Sequence, residues 1–189
     1  MRHFVCAALL AAAPCAAGAQ DRTVPVPPNV VVDGVPPIPQ GIADALAPYA
    51  MFRFATFVAW HPFERKMLVL TATTGSQQFH VVDTPGHAPV ALTSFPQSLQ
   101  PAASYDPADG KSFVFVRDTS GGKELYQIYR FDIATGAISL VTDGTSRNQW
   151  AVWAHKGKLL AYHSNRRDPG DFDIHLVRPD DPKSDHVLA

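Results

Sequence analysis

A chain of 189 residues with 46% hydrophobic and 17% charged content carries enough apolar material for a buried core and is not disordered by composition. Its 16 basic and 17 acidic side chains nearly cancel, and no stretch gathers Lys and Arg into a stripe able to follow a phosphate backbone. Nucleic acid is therefore not an expected partner.

At the start of the chain, residues 1–19 place Arg2 ahead of an apolar run from Phe4 and finish on Ala17-Gly18-Ala19. This order predicts a secretory signal cleaved before Gln20, and hence a soluble, exported chain in the periplasm or outside the cell. The run is too short and Ala-rich for a membrane span, and no later segment approaches the ~20 apolar residues that crossing a bilayer needs. Cys6 and Cys15 both fall inside the signal, so the processed chain is expected to form neither a disulfide nor a thiolate metal site. Pro14 directly before Cys15 argues against lipid attachment there.

Residues 20–52 read as a Pro-rich arm followed by a short helix. Pro25, Pro27, Pro28, Pro36, Pro37 and Pro39 remove amide donors and hold the backbone extended. From Ile42 to Met51 the Ala and Leu content favours a short helix interrupted near Pro48.

Beyond Phe52 the sequence turns to short β-rich runs separated by Gly, Pro, Asp and Asn. These runs repeat from Trp60, Tyr105 and Trp153, each aromatic being followed by a polar turn, a Lys and an apolar strand. The lysines, Lys66, Lys111 and Lys158, are 45 and 47 residues apart. A further strand begins at Phe79, Ile128 and Ile174, and an outer strand follows at 89–93, at 138–142 and near His186-Val187-Leu188. A period in this range with several strands per unit predicts propeller blades, because a lone sheet cannot bury both of its faces and must stack on neighbours. The expected fold is thus all-β, an incomplete β-propeller of about three four-stranded blades. The predicted spans are 53–100, 101–146 and 147–189, the chain ending before closure.

The third repeat, Trp153 to Val177, resembles the propeller repeat shared by TolB-like proteins and prolyl oligopeptidase family serine peptidases of the dipeptidyl-peptidase-like kind. Gly157, Lys158, Ser164, Arg166, Gly170, Asp173 and Ile174 stand in that repeat's order, and the second repeat matches through Tyr105, Asp106-Pro107, Asp109-Gly110-Lys111 and 113–116. Residues 117–144 and the Pro-rich entry are similar to the peptidase branch. Departures lie at Ala154-His155-Lys156 and at His61-Pro62-Phe63-Glu64-Arg65, where the repeat's Ser-Pro-Asp-Gly-Lys turn is loosened. The resemblance implies a propeller that caps a hydrolase cleft and admits short peptides, with Ser, His and Asp outside these residues.

Within the chain no catalytic residue is expected. The nucleophile elbow of such a hydrolase needs G-x-S-x-G, and neither Ser120 nor Ser146 has both glycines, so both read as turn serines. Asp171, Asp173 and His175 alternate along one strand, with His163 or His186 able to approach. That pattern suits a metal, but a solvated blade face gives it equally, and no metal or other cofactor is expected. Arg166-Arg167-Asp168 reads as a turn-stabilising ion pair before a carboxylate clamp. Trp60, Trp150 and Trp153 read as inter-blade core before ligand platforms. The functional expectation is a non-catalytic propeller serving a hydrolase domain of the same parent protein or its peptide substrate. The alternatives are a TolB-like module binding a protein partner, or self-association through open blade edges.

Overall fold

The computed structural model describes residues 22–50, 54–72 and 75–188. The expected export signal, with both cysteines, lies outside these described residues, as does Met51 at the expected end of the helix. The chain divides into two units, 1–52 and 53–189. In the first, the Pro-rich arm doubles back so that Thr23 bridges Pro39, and the Val24 amide donates to the Ile38 carbonyl at 2.8 Å. Helix α1 follows over Gln40–Ala50 with Pro48 inside it, and the Gln40 side chain donates to Asp44 one turn on, at 2.9 Å. No residue of α1 is buried.

The second unit is all-β. It holds three antiparallel four-stranded sheets, each built from consecutive strands in sequence order. Blade 1 comprises β1 (Ala55–Trp60), β2 (Met67–Thr71), β3 (Gln78–Val82) and β4 (Val90–Ala91). Blade 2 comprises β5 (Ala103–Tyr105), β6 (Ser112–Asp118), β7 (Tyr126–Asp132) and β8 (Ile138–Leu140). Blade 3 comprises β9 (Asn148–Trp153), β10 (Leu160–Asp168), β11 (Asp171–Arg178) and β12 (Asp181–Val187).

The period of two along each strand decides what these sheets do with their apolar residues. Phe113, Phe115 and Phe131 point from blade 2 onto Leu68, Leu70 and Phe79 of blade 1, while Val114, Val116 and Ile128 point the other way onto Leu160, Tyr162 and Val177 of blade 3. The first interface is aromatic: Phe79 meets Phe113 and Phe115 edge-on at 5.6 Å, and Phe113 stacks on Phe131 at 4.8 Å. Each such side chain, withdrawn from water, contributes about 1.5–3 kcal/mol. The hydrophobic core therefore lies between sheets, and no blade could hold it alone.

The strand ladders align the blades residue by residue. Trp60 pairs with Met67, Tyr105 with Phe113 and Trp153 with Leu160, and the turns between are closed by bonds from His61 N to Lys66 O, Asp106 N to Ser112 O and Ala154 N to Leu159 O. Lys111 and Lys158 consequently correspond to Arg65. The lysine spacing read from the sequence is thus off by one in blade 1, because the turn of blade 2 is a residue longer than the other two.

Two joints repeat between blades. Gly110 and Gly157, buried at φ +67° and +70°, lie against the turn of the preceding blade. A Cβ on Gly110 would sit 2.6 Å from the His61 ring, and one on Gly157 would sit 2.2 Å from the Asp106 carboxylate and 2.8 Å from the Ala108 amide nitrogen. His61 accepts the Phe63 and Glu64 amides on Nδ1 and donates from Nε2 to the Gly110 carbonyl, so one neutral tautomer shapes its own turn and holds the next.

The second joint is a glutamine clamp on the segment that carries the chain to the next blade. Gln78 and Gln127, buried at corresponding positions, accept the Phe95 and Gly144 amides and donate to the carbonyls of Phe95 and Ser146. Thr93 and Thr142 accept the Phe79 and Ile128 amides beside them.

Gly157→Ala is expected to destabilise the fold by roughly 2–4 kcal/mol, since it adds a backbone clash to a strained φ. Gly136→Ala, at φ +70° with open space around it, is expected to cost only about 1 kcal/mol. Urea titration of both variants checks this, and equal losses would contradict the close-approach account.

Candidate functional site

The groups that the sequence singled out separate in the structure. Asp173 and His175 face blade 2 and are buried, which corrects the solvated-face reading; the cause is that this side of β11 is covered by the neighbouring sheet. His163 and His186 pair with Ile174 and Leu176, on the opposite face from His175, and Asp171 is exposed. Among the described residues no group of His, Cys, Asp or Glu is arranged to hold a metal ion.

These residues instead form ion pairs. Arg167 grips Asp173 through two bonds of 2.7 and 2.9 Å across the β10–β11 turn, and the Asp168 carboxylate accepts the Gly170 amide. Asp185 accepts Tyr162 Oη at 2.6 Å, His175 Nδ1 at 2.9 Å and Arg166 Nη1 at 2.7 Å. Burial acts to raise the Asp185 carboxyl, yet the donors Tyr162, His175 and Arg166 outweigh it and hold it below its usual value. Burial, followed by the bond to Asp185, pushes the Tyr162 hydroxyl up. Asp143 behaves alike: burial opposes ionisation, but Ser146 and Asn148 donate to its carboxylate and bring it down to about 2. Ser146 and Ser120 bond to Asp143 and Asp118 in their own turns, which is a turn role.

The tryptophans divide. Trp153 packs between blades 2 and 3 and donates from Nε1 to the Ser104 carbonyl at 3.3 Å, as inter-blade core should. Trp60 and Trp150 do not follow the core reading, being 62% and 73% exposed. Trp150 is turned out by a β-bulge: Ala161 pairs with Val152 and His163 with Gln149, so Trp150 and Ala151 together oppose Tyr162. The bulge holds Trp150 at φ +58°, a left-handed conformation that a bulky residue rarely adopts.

Trp150 borders a cavity of about 610 Å³ between the inner strands of blades 2 and 3. Val114, Val116 and Ala103 supply apolar lining, Tyr126 a second aromatic, and Gln100 and Glu124 polar groups. Glu124 is also left-handed, at φ +60°, in a loop organised by Asp118, whose carboxylate accepts the amides of Ser120, Gly122 and Glu124. Arg147 secures it, donating from Nε to the Glu124 carbonyl at 3.1 Å. Two of the three non-glycine residues with positive φ among those described thus line one cleft. Strain of this kind persists only where surrounding structure enforces it. The inner strands β5 and β9 each pair on one side only, which leaves backbone donors and acceptors along the cleft. The cleft is equipped to bind, through aromatic faces, an apolar floor and strand edges. Sequence reasoning named Trp150 but placed it in the core, since a bulge leaves no mark in residue type.

No protein-family model matches the chain, and no curated protein does. Among solved structures it is similar to TolB from Acinetobacter baumannii, with a TM-score of 0.52 and 25% identity over 66% of this chain and 29% of that one. It is similar to a protein assigned as TolB from Agrobacterium tumefaciens, with a TM-score of 0.52 and 23% identity over 66% of this chain and 42% of that one. A protein from Listeria monocytogenes EGD-e matches with a TM-score of 0.53 and 15% identity, over 72% of this chain and 40% of that one. The fold is TolB-like, and the chain spans less than half the length of each of these proteins.

Because Asp143 and Asp185 are depressed in the folded chain, their contribution is fully present above the unfolded carboxylate value of about 4 and is lost as pH falls through the folded values. The urea midpoint should therefore hold above pH 4 and fall steeply from there toward pH 2. Asp185→Asn should cost roughly 2–3 kcal/mol at pH 7 and flatten part of that slope. A variant with the wild-type pH profile would contradict the assignment.

Proposed function

We propose that the chain is a non-catalytic propeller binding module that takes an extended peptide segment of a protein partner into the cleft between blades 2 and 3. The observation that carries this reading is Trp150: a large, exposed aromatic, held by a bulge in a strained conformation, beside strand edges with unpaired backbone groups. An extended peptide can add hydrogen bonds along β5 or β9 and rest apolar side chains on Trp150, Tyr126 and the valine floor. The TolB-like fold supports a binding role for the propeller. The signal-like residues 1–19 support an exported, periplasmic or extracellular setting. Among the described residues no helix is long and apolar enough to cross a membrane.

A second reading is favoured by the similarity of residues 117–144 and of the Pro-rich entry to the prolyl oligopeptidase branch. In it the propeller gates the passage of short peptides to a hydrolase domain of the same parent protein, and the cleft belongs to the peptide's route. Both readings assign the described residues no peptide-bond chemistry. The purified chain is expected not to turn over chromogenic proline or alanine peptides, and inhibitor-sensitive turnover would overturn that part.

Fluorescence polarisation against a mixed library of labelled peptides of about ten residues should reveal binders in the micromolar range. Trp150→Ala should weaken the best of them at least about tenfold while leaving the urea midpoint nearly unchanged. Retained affinity in that variant would move the site elsewhere.

A further inference from the structure

Among the arginines of blades 2 and 3, Arg130 pairs with Asp132, Arg147 with Glu124, Arg166 with Asp185, Arg167 with Asp173 and Arg178 with Asp180. Arg117 alone of this set has no carboxylate within reach. It is half-buried near the end of β6, opposite Gln127 in the ladder, and its alternation with Phe113 and Phe115 turns it toward the segment that leads from blade 1 to blade 2. There the guanidinium lies over the Phe95 ring, 4.1 Å from its centroid, and Nη2 donates to Gln97 Oε1 at 3.3 Å. Its Nε is buried and has no hydrogen-bond acceptor.

Half-burial strips water from a charge, and a ring face and a neutral amide replace that water less well than a carboxylate does. The neighbouring acids are engaged elsewhere. Asp118, next along the strand, points to the opposite face and accepts the amides of its own loop. Glu124 lies 3.5 Å from Arg147. Once these groups are paired, the charge left over at this end of blade 2 is positive.

Arg117 borders a hollow of about 230 Å³ with Ser98, Thr119 and Gly122. The hollow shares Gln100 and Val116 with the cleft that Trp150 borders, so the two adjoin. Stacking on Phe95 fixes the plane of the guanidinium in advance, and a fixed plane loses little freedom on gripping a carboxylate through two parallel bonds.

We infer that Arg117 is a carboxylate-recognition residue, and that the segment entering the cleft carries a negative charge beside its apolar side chains. The carboxylate belongs to an aspartate or glutamate side chain or to a free C-terminus, which present the same two oxygens. The inference rests on the peptide-binding reading of the cleft and adds to it the charge of the occupant.

Nitrogen-15 NMR of the full chain tests it, because the Arg117 Nε–H and Trp150 indole N–H signals report the hollow and the cleft separately. Three acetylated tetrapeptides serve as probes: Val-Leu-Phe-Asp amide, Val-Leu-Phe-Ala with a free C-terminus, and the uncharged Val-Leu-Phe-Asn amide. At least one acid probe is expected to bind about tenfold or more tightly than the uncharged one and to move both signals. The tighter of the two acid probes identifies the source of the carboxylate. Arg117→Gln should bring that probe down to the affinity of the uncharged one, and Arg117→Lys, which keeps the charge without the planar fork, should restore only part of the difference. Lys123→Gln, in the exposed part of the same loop, should leave the preference intact. Equal affinity for all three probes, with the indole signal moving, overturns the inference and leaves the cleft reading standing. An acid preference that survives Arg117→Gln also overturns it. A preference lost in Arg117→Gln while the indole signal stays still upholds Arg117 and overturns the cleft reading, and no response of either signal to any probe overturns both. The wild-type comparison decides the matter even if the Arg117 variants fail to fold.

Discussion

A four-stranded antiparallel sheet in this chain is apolar on both sides, and nothing within a blade can cover either one. Val114 and Phe115 are neighbours on β6, both are buried, and they point in opposite directions. Blade 2 is therefore stable only between two partners, and the remaining features serve that requirement. Glycines at the turns let sheets approach, glutamines fix the connecting segments, and aromatic rings fill the gap between the first two blades. The arrangement follows the logic of stacked repeats, in which each unit completes the core of the next.

The cleft between blades 2 and 3 is a by-product of that stacking which the chain has then elaborated. Val114 and Val116 are core residues toward the middle of the sheet and cleft floor toward its inner edge. The bulge in β9 adds an indole where a regular strand would have turned it to the other face, and the Asp118-centred loop adds a carboxylate. Neither addition improves packing. Each holds a bulky or charged residue in a left-handed conformation, and both open on the same space.

The blade pattern was legible in the sequence because burial on alternate residues and turn formers at fixed offsets are both written in residue type. Ser-Phe-Val-Phe-Val can hardly be anything but a strand buried on both faces. Three features were not legible. The register of the first repeat depended on one extra residue in the turn of blade 2, which Lys66 disguised by standing next to Arg65. The burial of Asp173 and His175 depended on which face of β11 meets the neighbour, and alternation alone cannot decide between two faces. The exposure of Trp60 depended on its standing on the face of blade 1 that neither of the other two described blades covers, that of Trp150 on a bulge, and both are properties of the assembled backbone.

The glutamine clamps bear on how such a chain comes apart. Gln78 binds blade 1 to the segment entering blade 2, and Gln127 does the same from blade 2 to blade 3. Asp173, at the corresponding place in blade 3, is occupied with Arg167 instead. The middle sheet is thus tethered at both ends and each outer sheet at one. In a linear array governed by nearest-neighbour coupling, loss of order then proceeds inward from the flanks, and amide exchange should be slowest along β6 and β7.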